Sequence, residues 1–204
     1  MLDHLVYGEP DLDRAVENVE RLLGVRPAPG GRHAGAPTHN ALLSLGERSY
    51  LELIAPVPGA GLTGALPFGL ATLAGPRLVA WAVSVDDLEG RVEAAKRDGY
   101  DPGPIVEGGR ELPDGSSLTW RLAVRPQPAA DGLAPFLIQW TSEPHPSTTA
   151  PGGCRFISLR AEHPDPASVE VILNALDVKL DVTRGEAPRL IATLDTPNGR
   201  VELS

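Results

Sequence analysis

Three times along the chain a short apolar run gives way to an amphipathic helical pattern and then to further strand-like runs. In the first round Leu2 to Tyr7 is compact and apolar. Asp11 to Gly24 follows, with Leu12, Ala15, Val16, Val19, Leu22 and Leu23 at the i, i+3, i+4, i+7 spacing of a helix that buries one face. Asp11 suits the N-cap and Gly24 a left-handed terminator. One weak strand in the Pro/Gly-rich stretch beyond, a strand from His39 to Leu45, a turn at Gly46 to Ser49 and a strand from Tyr50 to Ala55 complete the round.

The second round runs from a strand at Leu78 to Val85 through a helix at Asp87 to Asp98, with Leu88, Val92 and Ala95 on one face. Strands at Leu118 to Val124 and Pro135 to Trp140 follow. The third opens at Phe156 to Ala161, places a proline at the first helical position in Asp165-Pro166, continues the helix through Leu176, and ends in strands at Arg189 to Leu194 and Arg200 to Leu203. Repeated supersecondary units that bury their faces against one another are the physical reading of such a pattern. The expected architecture is α+β: repeated βαβββ modules with curved mixed sheets and helices on the outer faces. Residues 1–57 form module one, 58–77 a crossover, 78–143 module two, 144–154 a linker and 155–204 module three, within one compact unit.

Two polar side chains interrupt this pattern. His4 sits in Leu2-Asp-His-Leu-Val-Tyr7 and Glu52 in Tyr50-Leu-Glu-Leu-Ile-Ala55, each at an inward-looking place. A buried imidazole or carboxylate is costly unless paired, hydrogen-bonded or bound to a metal, so the two together suggest a site. Because that burial is costly in the metal-free protein, Glu52→Gln and His4→Ala should leave the fold largely intact, and removing the buried carboxylate should be near neutral or mildly stabilising. A Gly46–Ser49 hairpin that sets Leu43 opposite Glu52 also sets His39 opposite Pro56. His39 would then lie about 13 Å along the sheet from the Glu52 level, too far for one metal ion and suited to a substrate contact. His33, His145 and His163 stand beside Gly or Pro and read as solvated. Trp81, Trp120 and Trp140 all fall in module two. A bulky core is the favoured reading for them, and the wall of a ligand pocket, with Trp81 in contact with substrate, is the functional alternative.

Composition narrows the partners. The 204 residues are 42% hydrophobic, enough for a proper core, and the formal net charge of −9 argues against nucleic acid or an anionic membrane surface. No apolar run approaches the roughly 18 residues of a membrane span, and no charged-then-apolar leader precedes the first strand. A single cysteine, Cys154, rules out an intramolecular disulfide and fits a reducing, cytoplasmic setting. The 22 glycines and 21 prolines punctuate the elements without any low-complexity tract.

The opening Leu-Asp-His-Leu-Val-Tyr, the Tyr-Leu-Glu-Leu-Ile-Ala run and the closing Asp195-Thr-Pro-Asn-Gly-Arg-Val-Glu-Leu203 give the chain a family likeness. It resembles the vicinal-oxygen-chelate superfamily, in its glyoxalase-like branch. That resemblance implies sites built from paired βαβββ modules, with a divalent metal ion bound at first and fourth strands. His4 would be a first-strand ligand, Glu52 a fourth-strand ligand, and Glu202 the fourth-strand counterpart in module three. The corresponding first-strand positions of modules two and three, Ala80 and Ser158, depart from the histidine or glutamine of many active members. If module one pairs with module three the metal set is His4, Glu52 and Glu202. If it pairs with module two, Gln139, otherwise a substrate-binding candidate, replaces Glu202. The first is preferred because carboxylate is the better ligand for a hard ion.

The resemblance further implies chelation of a small oxygen-bearing molecule, with Glu52 able to double as the proton-transfer base, in an isomerase, lyase or dioxygenase type of reaction. The rival is a non-catalytic protein of the same fold that binds or sequesters a small molecule without metal. An odd number of modules leaves one sheet face unpaired, which favours a homodimer.

Overall fold

The structure, a computed structural model, describes residues 1–59, 66–111 and 117–204. Part of the expected crossover, residues 60–65, lies outside the described residues. Module one comprises β1 (Leu2–Gly8), α1 (Leu12–Leu23), β2 (Ala28–Arg32), β3 (Thr38–Ser44) and β4 (Tyr50–Pro56). Module two comprises β5 (Arg77–Ser84), α2 (Leu88–Arg97), β6 (Ile105–Glu111), β7 (Ser117–Ala123) and β8 (Phe136–Trp140). After a short helix α3 (Pro146–Thr149), module three repeats the order as β9 (Arg155–His163), α4 (Pro166–Ala175), β10 (Asp181–Arg184), β11 (Arg189–Thr196) and β12 (Gly199–Leu203). Among the described residues the βαβββ order therefore occurs three times. Strands β6 and β10 were not anticipated: β6 carries Gly108 and Gly109, which weaken a strand pattern, and β10 is only four residues long.

Modules one and two share one eight-stranded sheet in the order β2-β3-β4-β1-β5-β8-β7-β6, joined by the antiparallel β1–β5 pair. Module three forms a separate four-stranded sheet, β10-β9-β11-β12. Module one thus pairs with module two, which corrects the preference for module three. The large sheet curls until its two edges meet. Ala34 N donates to Gly109 O at 3.2 Å, and Arg110 Nη1 donates to Gly30 O at 2.7 Å.

Strand alternation sorts side chains between the two faces of this sheet. Leu5, Leu51, Leu53, Trp81 and Leu137 face the helices, in a core that also takes Val19 and Leu23 of α1, Leu88 and Val92 of α2, and Leu173, Leu194 and Leu203 of module three. Val6, Ile54, Ala80, Ala82, Phe136 and Ile138 face the concave side. The Asp11 carboxylate caps α1 by accepting from Arg14 N at 3.0 Å, and Gly24 ends it at φ 77°. Leu22, counted on the apolar face of that helix, is instead exposed. The outer face of the small sheet carries Arg160, Glu162 and Glu202 in ion pairs, so the unpaired face of module three is polar there. No helix among the described residues is long and apolar enough to cross a membrane.

Candidate functional site

The concave side encloses a cavity of about 270 Å³. Its walls are largely apolar, with Phe68, Trp120, Leu122, Phe136, Ile138 and Trp140 prominent, and its polar floor comes from module one. His4 reaches it from β1 and Glu52 from the neighbouring parallel strand β4, where Val6 and Glu52 are paired. His4 Nε2 lies 3.9 Å from Glu52 Oε2, too long for a hydrogen bond. On the other carboxylate oxygen, Asn40 Nδ2 donates to Glu52 Oε1 at 2.6 Å and His33 Nε2 approaches to 3.3 Å. Asn40 stands on the same face because it pairs with Ile54 in the β3–β4 ladder. His33 is delivered by the β2–β3 turn, which His33 N closes onto Thr38 O at 3.1 Å, while its Nδ1 meets Thr38 Oγ1 at 2.9 Å.

Burial alone would raise the Glu52 pKa. The hydrogen bonds and charges of His33, His4 and Asn40 outweigh it and hold the carboxyl at about 2. A second buried carboxylate orients His4. The ladder between β1 and β5 shifts register between Leu2 and His4, and Asp3 sits in that irregularity. Asp3 Oδ1 meets His4 Nδ1 at 2.7 Å, while Oδ2 accepts from Trp140 Nε1 at 2.9 Å and lies 3.3 Å from His145 Nε2. Burial would raise Asp3 too, but the bonds from His145, His4 and Trp140 hold it well below the usual carboxylate range. An ionised Asp3 can only accept, so the shared proton rides on His4 Nδ1. In the neutral tautomer that this contact selects, His4 would present the lone pair of Nε2 to the cavity, opposite the Glu52 oxygen. Gly30 makes the tight corner possible: a Cβ there would fall 2.2 Å from Asn40 Oδ1 and 2.6 Å from Arg110 Nη1.

Of the sequence candidates the structure brings together His4 and Glu52. Glu202 is on the small sheet, half exposed and 3.5 Å from Arg160, away from the cavity. Trp81 faces the helix-side core, where its Nε1 donates to Leu133 O at 2.8 Å, whereas Trp120 and Trp140 line the cavity. Gln139 points opposite to Ile138 and Trp140, bonding Arg121 and the Asp86 carbonyl. His39 pairs with Ala55 rather than Pro56, and Leu42 rather than Leu43 stands opposite Glu52. The turn sets this register: Leu45 N donates to Ser49 O, and Arg48 takes a left-handed φ of 52°. One residue of slip changes the face of every side chain, so His39 leaves the cavity and Asn40 enters it.

Sequence reasoning missed His33, Asn40, Asp3 and Arg110. Asn40, a polar residue beside the apolar Ala41-Leu-Leu43, was the available signal. His145 is fully buried against Asp3 and Ser147, and His163 is buried against Asp131 and Asp165, so neither is solvated.

The donor set does not fit a resident divalent ion. The concave face of module two carries Ala80, Ala82, Phe136, Ile138 and Trp140, none of them a donor for a hard ion, and Glu107 at the cavity rim is exposed and pairs with Arg121 in the β6–β7 ladder. Glu52 Oε1 is taken up by Asn40 and His33, which leaves His4 Nε2 and Glu52 Oε2 as protein donors where zinc sites have three or four. Among the described residues no group of three His, Cys, Asp or Glu side chains could hold a metal.

Residues 2–176 match the glyoxalase-like domain family. No curated protein matches the chain by sequence. Among solved structures, a hypothetical protein from Staphylococcus aureus superposes with a TM-score of 0.64 at 14% identity, over 98% of this chain and 83% of that one. Methylmalonyl-CoA epimerase from Mycobacterium tuberculosis gives 0.44 at 22% identity, over 70% of this chain and 88% of its own. The Streptomyces coelicolor epimerase in complex with 2-nitronate-propionyl-CoA gives 0.46 at 19%, over 69% and 97%. At such identities the likeness to the staphylococcal protein is one of fold.

Proposed function

Since the chain belongs to the glyoxalase-like domain family, we propose that it binds a small molecule on the concave face of its large sheet without requiring a metal. The observation that supports this most is the pair His4 Nε2 and Glu52 Oε2 on the polar floor of an otherwise apolar cavity. They stand 3.9 Å apart, both open to the cavity. With His4 neutral, both atoms are acceptors and call for a donor between them, which a ligand hydroxyl, enol or amino group supplies. The aromatic walls then bury the rest of the ligand, in the ordinary division of labour of a small-molecule site.

The electrostatics favour binding over base catalysis by Glu52. A carboxyl held at about 2 is a carboxylate at neutral pH, yet has little drive to take up a proton. The same two acceptors also support a second reading, a metal-dependent enzyme. There His4 and Glu52 would hold a divalent ion whose remaining positions water or a chelating ligand fills, and the ion would supply Lewis-acid chemistry to that ligand. The proposed setting is the cytoplasm, given the lone buried Cys154.

Metal analysis of protein purified without chelator separates the readings, together with melts in the presence of manganese or zinc. The first reading expects substoichiometric metal and melting curves that the ions leave unmoved. A stoichiometric ion, or a rise in melting temperature that His4→Ala and Glu52→Gln both abolish, would establish the second.

A further inference from the structure

On the other side of Phe68 and Phe136 lies a second cavity of about 310 Å³. The two chambers share Pro67, Phe68, Val106, Val124 and Phe136. The far walls are Ala80, Tyr100, Ala134 and several prolines, and the one charged lining residue, Arg125, is exposed and turned to the Asp101 carbonyl at 2.8 Å. The rings of Phe68 and Phe136 stack at the junction, centroids 5.6 Å apart with 25° between planes, and Phe136 sets its edge against His4 at 5.3 Å. Phe68 holds φ 55°, a left-handed conformation that a phenylalanine keeps only where its surroundings impose it, and such strain gathers at ligand clamps. The main chamber by itself lies below the roughly 300–1,000 Å³ of ordinary small-molecule sites, whereas the two together fall well inside it.

Resting on the ligand-binding reading above, we infer that the ligand is elongated. A hydroxyl or amino head sits between His4 and Glu52, and an unbranched apolar tail passes the Phe68–Phe136 junction into the second chamber. The chambers divide the chemistry: both acceptors lie in the first, while the second has prolines and small apolar side chains and no buried charge.

Calorimetric titration of the full chain with the straight-chain primary alcohols from butanol to decanol tests this. Affinity should rise about fourfold per added CH₂ once the tail reaches the second chamber. Ala134→Trp fills that chamber from a half-buried position and should leave butanol binding unchanged while reducing decanol to the affinity of the shorter alcohols. Ala129→Leu, on the same wall, serves if circular dichroism shows the first variant unfolded. Butanol binding without a length dependence, or equal losses for short and long alcohols in the variant, would overturn the elongated ligand and leave the head site standing. If no alcohol binds, or Glu52→Gln leaves butanol binding unaltered, the head site falls and the inference falls with it.

Discussion

Glu52 shows how much a single side chain depends on what surrounds it. As an unpaired buried carboxylate it would be a liability, and its replacement would be close to neutral. With Asn40 and His33 on one oxygen, the expectation reverses. Glu52→Gln should destabilise the protein by about 1–3 kcal/mol, because the amide weakens charge-assisted bonds and leaves a buried donor poorly matched; urea melts at pH 7 measure it. The pH dependence follows from the same contacts. Its folded pKa of about 2 lies below the ordinary 4.5, so the stabilisation is complete above about pH 5 and is lost as pH falls toward 2. The shift corresponds to about 3 kcal/mol. Asp3, held low as well, acts in the same direction. Between pH 5 and 2 the parent should therefore lose more stability than Glu52→Gln; similar losses in the two would remove Glu52 as a source of acid sensitivity.

At the level of elements, α1 is the clearest case of local sequence fulfilled by distant structure. Asp11 and Gly24 mark its ends from sequence alone. Its last carbonyls, however, are satisfied from the β11–β12 turn, where Asn198 Nδ2 donates to Arg21 O at 3.0 Å and to Leu22 O at 3.2 Å. This polar clamp fastens module three to module one. Asn198→Ala should cost about 1 kcal/mol, less than a buried loss because the site is exposed. Gly24→Ala should cost more, about 1–2 kcal/mol from the left-handed backbone, with a further penalty because its Cβ would lie 2.8 Å from Asn198 Oδ1. Thermal melts of the two single variants and the double variant should show non-additivity, since both act on one contact. Strictly additive losses would dissociate Asn198 from the helix end.

For the molecule as a whole, the helix-side core draws on all three modules, with Leu23, Leu88, Leu173 and Leu203 in one continuous cluster. Separate sheets therefore do not make separately folding units. Calorimetry should give a single transition with van't Hoff and calorimetric enthalpies in agreement. Two resolved transitions would mean that module three melts on its own. A homodimer remains our proposal, to be tested by light scattering. The unpaired face of the odd module that favours it carries the ion pairs of Arg160, Glu162 and Glu202, so a partner there would meet a polar surface.

The sequence by itself determined the module order, the helix boundaries at Asp11, Gly24 and Asp165, and the nearness of His4 to Glu52. Each rests on local information: helical and strand periodicities, caps, and polar residues placed within apolar runs. Tertiary structure decided which modules pair, and so removed Glu202 from the site. It also decided the one-residue register of the β3–β4 hairpin, which exchanged His39 for Asn40. His33, Asp3 and His145 were illegible for the same reason. Their partners are brought by a turn, a β-irregularity and a linker, and a side chain beside Gly or Pro looks solvated until the chain that covers it is in place. Periodicity reports which face of an element is buried. It does not report what lies against that face, and both the chemistry of Glu52 and the length of the cavity depend on that.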